Sequence, residues 1–261
     1  MNRISSTEEW MTMEPSLYTF DENIPSFTYR GENSFKNHSC FIDAELGEVQ
    51  AVKEVESIKL AGRSGRLHRT FGDYDSFEYP IEIQLTDFDH LEEVKRWLTG
   101  SGKLILSIDQ DKYRYATVLD KGQPRPYFNE MNSFWKFTVT FECEPFKRTL
   151  RNEIRTINEG SYSIYDPGMV PSFPYFELQS KGGDIRIEVN GRSFVLNGTQ
   201  KGMVILDCQK KIAIQNNQFV RTEGIFPYSE NVDTYVNQTG VNLWKFSGIE
   251  SSLMEARCLW L

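Results

Sequence analysis

The sequence predicts a mainly β protein with one helix. Three observations carry this. Apolar and polar residues alternate through Phe77–Leu85 and again through Phe134–Cys143, the period-two signature of strands buried on one face. Only Asp89–Thr99 has helical spacing, with Leu91, Val94, Trp97 and Leu98 on one stripe. After residue 150 short apolar runs recur about every ten residues between turn signals, the spacing of a β-sandwich.

Each element follows in chain order. Residues 1–25 are polar with scattered aromatics and read as an N-terminal extension. Phe27–Asp43 reads as a hairpin turning near Gly31, followed by another strand. Val49–Leu60 alternates on two parities, which a bulge near Lys53 reconciles. Phe77, Tyr79, Ile81, Ile83 and Leu85 share a face, and Pro80 marks an edge or a strand start. Asp89 with Glu92 reads as a capping box for the helix, and Gly100 sits where it stops. Leu104–Ile108 and Tyr113–Leu119 form a hairpin around Asp109–Lys112. Trp135, Phe137, Val139, Phe141 and Cys143 line one face of the strongest strand. The charged stretch Lys147–Glu159 reads as a domain boundary, so residues 26–150 and 151–261 are expected to be separate domains. In the second, Ile185–Val189 runs into Asn190-Gly191, a type I′ hairpin signal. Met203–Cys208 pairs with Lys211–Ile214, and Val241–Phe246 and Ala256–Leu261 close the fold.

Composition narrows the function. The chain of 261 residues is 39% hydrophobic, enough for a real core, and its net charge of −8 opposes wrapping of nucleic acid. An acidic surplus suits a passage through which a polyanion slides without sticking. The N-terminus has no apolar signal stretch, and no run is long enough for a membrane helix. Cys40, Cys143, Cys208 and Cys258 form no CxxC pair and read as buried free thiols.

No chemical motif stands out. Gly62-Arg63-Ser64-Gly65-Arg66 lacks the lysine and spacing of a phosphate loop, and a strand follows rather than a helix. The glycines permit positive φ, so the stretch reads as the turn of an extended hairpin. His38, His68 and His90 form no metal-ligating pair, and His90 at a helix start reads as a surface residue. Asp73 and Asp75 read as loop residues capping backbone amides rather than as hydrolytic carboxylates. Asp109–Tyr113 lacks the glycine and glutamate of a calcium loop. The aromatics Tyr162, Tyr165, Phe173, Tyr175 and Phe176 read as sandwich core and packed linker rather than a sugar platform. No catalytic residue, cofactor or metal site is assigned.

The order of several motifs resembles the distal tail protein (Dit) family of long-tailed phages infecting Gram-positive bacteria. They are F-x-Y-x-G at Phe27–Gly31 and the run Val55–Leu67 containing G-R-S-G-R-L. The helix ends in W-L-x-G at Trp97–Gly100, and F-E-C-E-P-F occupies Phe141–Phe146. In the second half come G-D-I-x-I-x-V-N-G at Gly183–Gly191 and V-I-L-D-C at Val204–Cys208. Ala61 and Ser64 stand where the family usually has proline and aspartate. The resemblance implies an N-terminal β-sandwich with one helix and a projecting hairpin, and a C-terminal galectin-like sandwich. It implies a homo-hexameric ring at the virion's tail tip. The ring would join the major tail tube protein and the tape-measure C-terminus to the tail-associated lysin or fibre and a receptor-binding protein, passing DNA without binding it. Gly62, Arg63, Gly65, Arg66 and Arg69 are then expected at the subunit interface, the arginines meeting acidic side chains of a neighbour. The competing readings are a carbohydrate-binding module in the second sandwich and a cell-wall hydrolase using Asp73 or Asp75.

Overall fold

A computed structural model of the chain describes residues 24–62, 64–120, 124–230 and 240–261. Most of the expected N-terminal extension, and Arg63, lie outside the described residues. The described residues are mainly β, with one short α-helix. They divide into two compact units, Met1–Lys147 and Arg148–Leu261.

In the first unit the strands run side by side as Glu32–Asn33, Phe27–Tyr29, Ser101–Leu106, Lys112–Val118, Phe134–Cys143, Phe77–Leu85 and Cys40–Ile42. Three strand spacings separate Phe27–Tyr29 from Phe134–Cys143, about 14 Å in a flat sheet. Yet the rings of Phe27 and Tyr29 lie 5.6 and 5.0 Å from that of Phe141. The sheet therefore curls, bringing the side chains of Phe27–Tyr29 against Phe134–Cys143. Its core holds Phe27, Tyr29, Ile81, Ile83, Leu85, Phe137, Val139 and Phe141. The long strands pair in register over their whole length, from Trp135 opposite Leu85 to Cys143 opposite Phe77. Pro80 lies where Phe77–Leu85 has a neighbour on one side only, because Cys40–Ile42 reaches no further than Ile83. A missing N–H costs nothing there.

The helix spans Leu91–Trp97 after a 3₁₀ turn at Phe88–His90. Val94, Trp97 and Leu98 are buried. Trp97 stacks on Phe27 at 5.5 Å, and its indole N–H donates to the Tyr29 carbonyl at 3.0 Å. Gly100 follows at φ +68°, the left-handed stop that favours glycine. The expected Asp89–Glu92 capping box does not form. No side chain caps this helix, because the 3₁₀ turn moves its start to Leu91 and places Asp89 inside that turn.

The second unit is a sandwich of two antiparallel sheets. One runs Glu153–Ile157, Ile249–Ala256, Tyr175–Ser180, Gly202–Asp207, Ile212–Gln215 and Gln218–Phe219. The other runs Gly160–Tyr165, Val241–Ser247, Gly183–Val189, Arg192–Thr199 and Arg221–Gly224. Phe176 of the first sheet lies 5.8 and 5.9 Å from Trp244 and Phe246 of the second. Asn190 and Gly191 turn the expected hairpin at φ +49° and +82°. The final long strand is Ile249–Ala256; of the expected Ala256–Leu261 strand only Leu259–Trp260 forms.

Candidate functional site

The feature that stands apart is the hairpin of Lys53–Ile58 and Leu67–Tyr74. It is a two-stranded sheet that pairs with no other strand among the described residues. The expected bulge is there: the register shifts between Lys53 and Val55. Val52, Val55, Leu60 and Leu67 are exposed, although a hairpin of two strands is marginal without a packed face. Gly62 and Gly65 turn the tip at φ +78° and +89°. Arg66 is exposed just before the returning strand, and Arg69 is exposed opposite Glu56. Arg63 lies outside the described residues. On the hairpin, Ser57 Oγ and His68 Nδ1 are 2.8 Å apart. Arg66 and His68 lie near the tip, Glu56 faces Arg69 below them, and Glu54, Asp73 and Asp75 sit toward the root with Lys53.

A charged cluster fixes that root. Arg114, buried in the Lys112–Val118 strand, donates to the carbonyls of Val49 at 2.9 Å, Glu144 at 3.4 Å and Pro145. Its guanidinium lies 5.0 Å from the centre of the Phe77 ring. Lys147 Nζ reaches Glu48 at 2.7 Å and Asp109 at 2.8 Å, and Lys112 Nζ reaches Asp109 at 3.0 Å. Tyr79 donates its hydroxyl to the Gly47 carbonyl at 2.8 Å. Residues 47–49, which form no strand, are thereby held from three sides. Burial pushes the Asp109 carboxyl up, but hydrogen bonds from Lys147 and its neighbours outweigh it and hold the carboxyl below its ordinary value. The cluster borders a cavity of about 30 Å³, room for water and far short of the several hundred Å³ a substrate needs.

The other candidates are placed plainly. Asp73 lies within the Leu67–Tyr74 strand rather than in a loop, and the Asp75 amide bonds the Val52 carbonyl at 3.5 Å. His38 is buried, stacked on Trp97 at 4.1 Å and bonded to Glu32 at 2.6 Å. His90 is exposed, and its hydrogen bond with Asp87 at 2.7 Å raises its pKa. All four cysteines are buried and free, and burial drives the Cys40 and Cys143 thiols to about 12, so neither is a nucleophile at neutral pH. Trp244, at 1% exposure, is core. Phe176 is core, Tyr162 and Phe173 pack against it, and Tyr165 is exposed. Among the described residues no group of three His, Cys, Asp or Glu side chains is placed to hold a metal ion. No helix among them is long and apolar enough to cross a membrane.

Sequence reasoning missed the cluster. Its signal was present in the charge density of Asp109–Arg114, but the partners Glu48 and Lys147 lie about sixty residues upstream and about thirty-five downstream, and no local pattern joins them.

No family model matches the sequence, and no curated protein matches it. Among solved structures the chain is similar to a crystal structure of the SPP1 Dit protein (gp 19.1), described as a paradigm of the hub adsorption apparatus in Gram-positive-infecting phages. The TM-score is 0.67 at 12% sequence identity, over 91% of this chain and 100% of that one. The chain therefore has a Dit-like fold: mainly β, with one helix, a projecting hairpin and a second β-sandwich.

Proposed function

We propose that this chain is a structural component of a phage tail, a distal tail hub. Copies close into a hexameric ring at the tail tip, joining the tail tube to the tail-associated lysin or fibre and the host-adsorption apparatus. DNA passes through its lumen. The observation that carries this reading is fold similarity over the whole of a known hub protein. The hairpin supports it. A two-stranded sheet with unpaired edges, exposed valines and leucines and a basic tip is what a neighbouring copy can complete by strand addition and charge pairing. Ring closure needs such a heterologous contact, repeated by a fixed rotation. Gly62 and Gly65 shape the tip, and Arg63, Arg66 and Arg69 meet acidic side chains of the neighbour. The work is done by geometry, without turnover.

Light scattering and negative-stain imaging of the full chain test this. A particle of six times 30.4 kDa with a central hole is expected. Arg63→Ala with Arg66→Ala is expected to shift the equilibrium toward monomer, most strongly at low salt, where the wild-type charge pairs are least screened. An unchanged ring at every salt concentration removes the arginines from the joint.

A second reading, carbohydrate binding by a galectin-like second unit, has one observation in its favour. A shallow groove of about 350 Å³ on the outer face of the Gly160–Tyr165 sheet is lined by Ser161, Ser163, Glu188, Asn190 and Lys245. The Asn190 side chain is already committed, accepting from the Leu243 amide at 2.8 Å and donating to Asn242 at 2.9 Å. Micromolar binding on a glycan array, lost in Glu188→Ala, would establish the sugar site.

A further inference from the structure

The hairpin and the segment by which the chain leaves the first unit are fastened by the same side chains. That unit ends at Lys147, about seventy residues beyond Tyr74, where the hairpin ends. The chain enters the hairpin through residues 45–52 and leaves the last long strand through residues 144–146; neither run forms a strand. Arg114 bridges the two runs. It donates to the carbonyl of Val49 on one side and to those of Glu144 and Pro145 on the other. Lys147 bridges them again by its ion pair with Glu48 at 2.7 Å. The returning leg of the hairpin is caught as well. The ring of Tyr74 meets that of Phe146 edge to face at 5.2 Å, and Lys53, paired opposite Tyr74, has its Nζ 5.7 Å from the centre of the Tyr74 ring. Both legs of the hairpin are thus tied to residues 144–147.

Sharing these anchors makes the two segments depend on each other. Arg114 is only 8% exposed, and its bonds are strong because little water competes for them. When either segment lets go, water reaches the guanidinium and the bonds to the other segment weaken. Opening one segment therefore lowers the cost of opening the other. The hairpin is the part with a reason to open, since it pairs with no other strand among the described residues and leaves Val55 and Leu67 exposed. We infer that the hairpin and residues 144–147 are one cooperative unit, so that whatever orders the hairpin also stiffens the chain's exit from the first unit. Where this rests on the proposed ring, completion of the hairpin by a neighbouring copy removes freedom from the tether leading to residues 148–261. Linkage makes the effect reciprocal: a firm exit favours an ordered hairpin and so favours assembly.

The coupling is tested on the isolated full chain, so its failure is separable from failure of the ring. Ser57 and His68 pair opposite each other, away from the root, with their side chains 2.8 Å apart. Ser57→Cys with His68→Cys, oxidised to a disulfide, staples the hairpin without touching its anchors. Amide hydrogen exchange is compared between the oxidised and reduced forms of this variant by mass spectrometry. Stapling is expected to slow exchange in residues 144–147 by about fivefold or more. Phe146→Ala tests the reverse direction in a chain with no new disulfide. It is expected to speed exchange around Ser57 and His68 by about fivefold or more. The inference is overturned if stapling slows the hairpin alone, or if Phe146→Ala leaves exchange around Ser57 and His68 unchanged. In assembled wild-type rings, residues 144–147 are expected to exchange more slowly than in the free chain; equal rates overturn the inference while leaving the ring intact. A chain that forms no ring contradicts the functional reading, and the two variants still decide the coupling.

Discussion

Arg114 keeps its guanidinium buried because three backbone carbonyls and the face of Phe77 replace the water it loses. Those carbonyls belong to Val49, Glu144 and Pro145, which lie outside the strands. Arg114→Ala leaves them unpaired and is expected to cost about 2–4 kcal/mol in urea unfolding. The largest effect should fall on the hairpin root. Asp109 gives a pH signature. Its folded-state pKa is below the ordinary value of 3.8, so its contribution is complete above that value and is lost as pH falls below it through the lowered one. Asp109→Asn is therefore expected to flatten the acid limb of a stability-against-pH curve, while lowering stability at neutral pH. His90 runs the other way. Its raised pKa gives a contribution present below its ordinary value of 6.5 and lost as pH rises through the folded value. The Asp109–Lys112 and Asp87–His90 pairs are local, but the pairings of Arg114 and Lys147 were not legible in the sequence, because each joins residues far apart in the chain.

At the scale of elements, the hairpin and the sheets answer to different rules. The long strands were readable because every second residue is apolar and the partner strands match them in register. Phe134–Cys143 has the bounds its alternation predicts. Ile249–Ala256 escaped because small polar Ser252 fills an inward position and a register shift at Gln179/Ser180 breaks the period. The capping box failed for a related reason. Four-residue spacing cannot tell a helix start from a 3₁₀ turn that precedes it. The hairpin was readable as a turn from its glycines, but its detachment from the main sheet was not, since alternation says nothing of which neighbour a strand finds. That detachment yields a prediction. Gly62→Val with Gly65→Val forces β-branched residues into positive φ. It is expected to disorder the tip and abolish assembly, while the thermal midpoint of the isolated chain falls by less than about 3 °C. A midpoint collapse would make the hairpin part of the core rather than a joint.

For the whole molecule, charge is divided unevenly. Residues 148–261 carry as many basic as acidic side chains, so the surplus of −8 lies entirely in residues 1–147. In the ring proposed above, an acidic first unit around the lumen would weaken adhesion of a passing polyanion. Reversing exposed acids such as Glu78 and Glu130 to lysine is expected to make the assembled protein retain double-stranded DNA at low salt, read by filter binding; unaltered retention would detach the charge from the lumen. The ordered motifs carried the fold because they mark turns and strand ends that geometry fixes. The proposed sixfold closure rests on the resemblance and not on any one residue, since a contact between copies is a property of two surfaces meeting and one chain holds only half of it.

The most direct measurement is an electron cryo-microscopy reconstruction of intact tails with the chain located in the density. The account predicts six copies around an open channel at the distal end of the tube, each hairpin completed by its neighbour. A single copy, or a location away from that end, would contradict it.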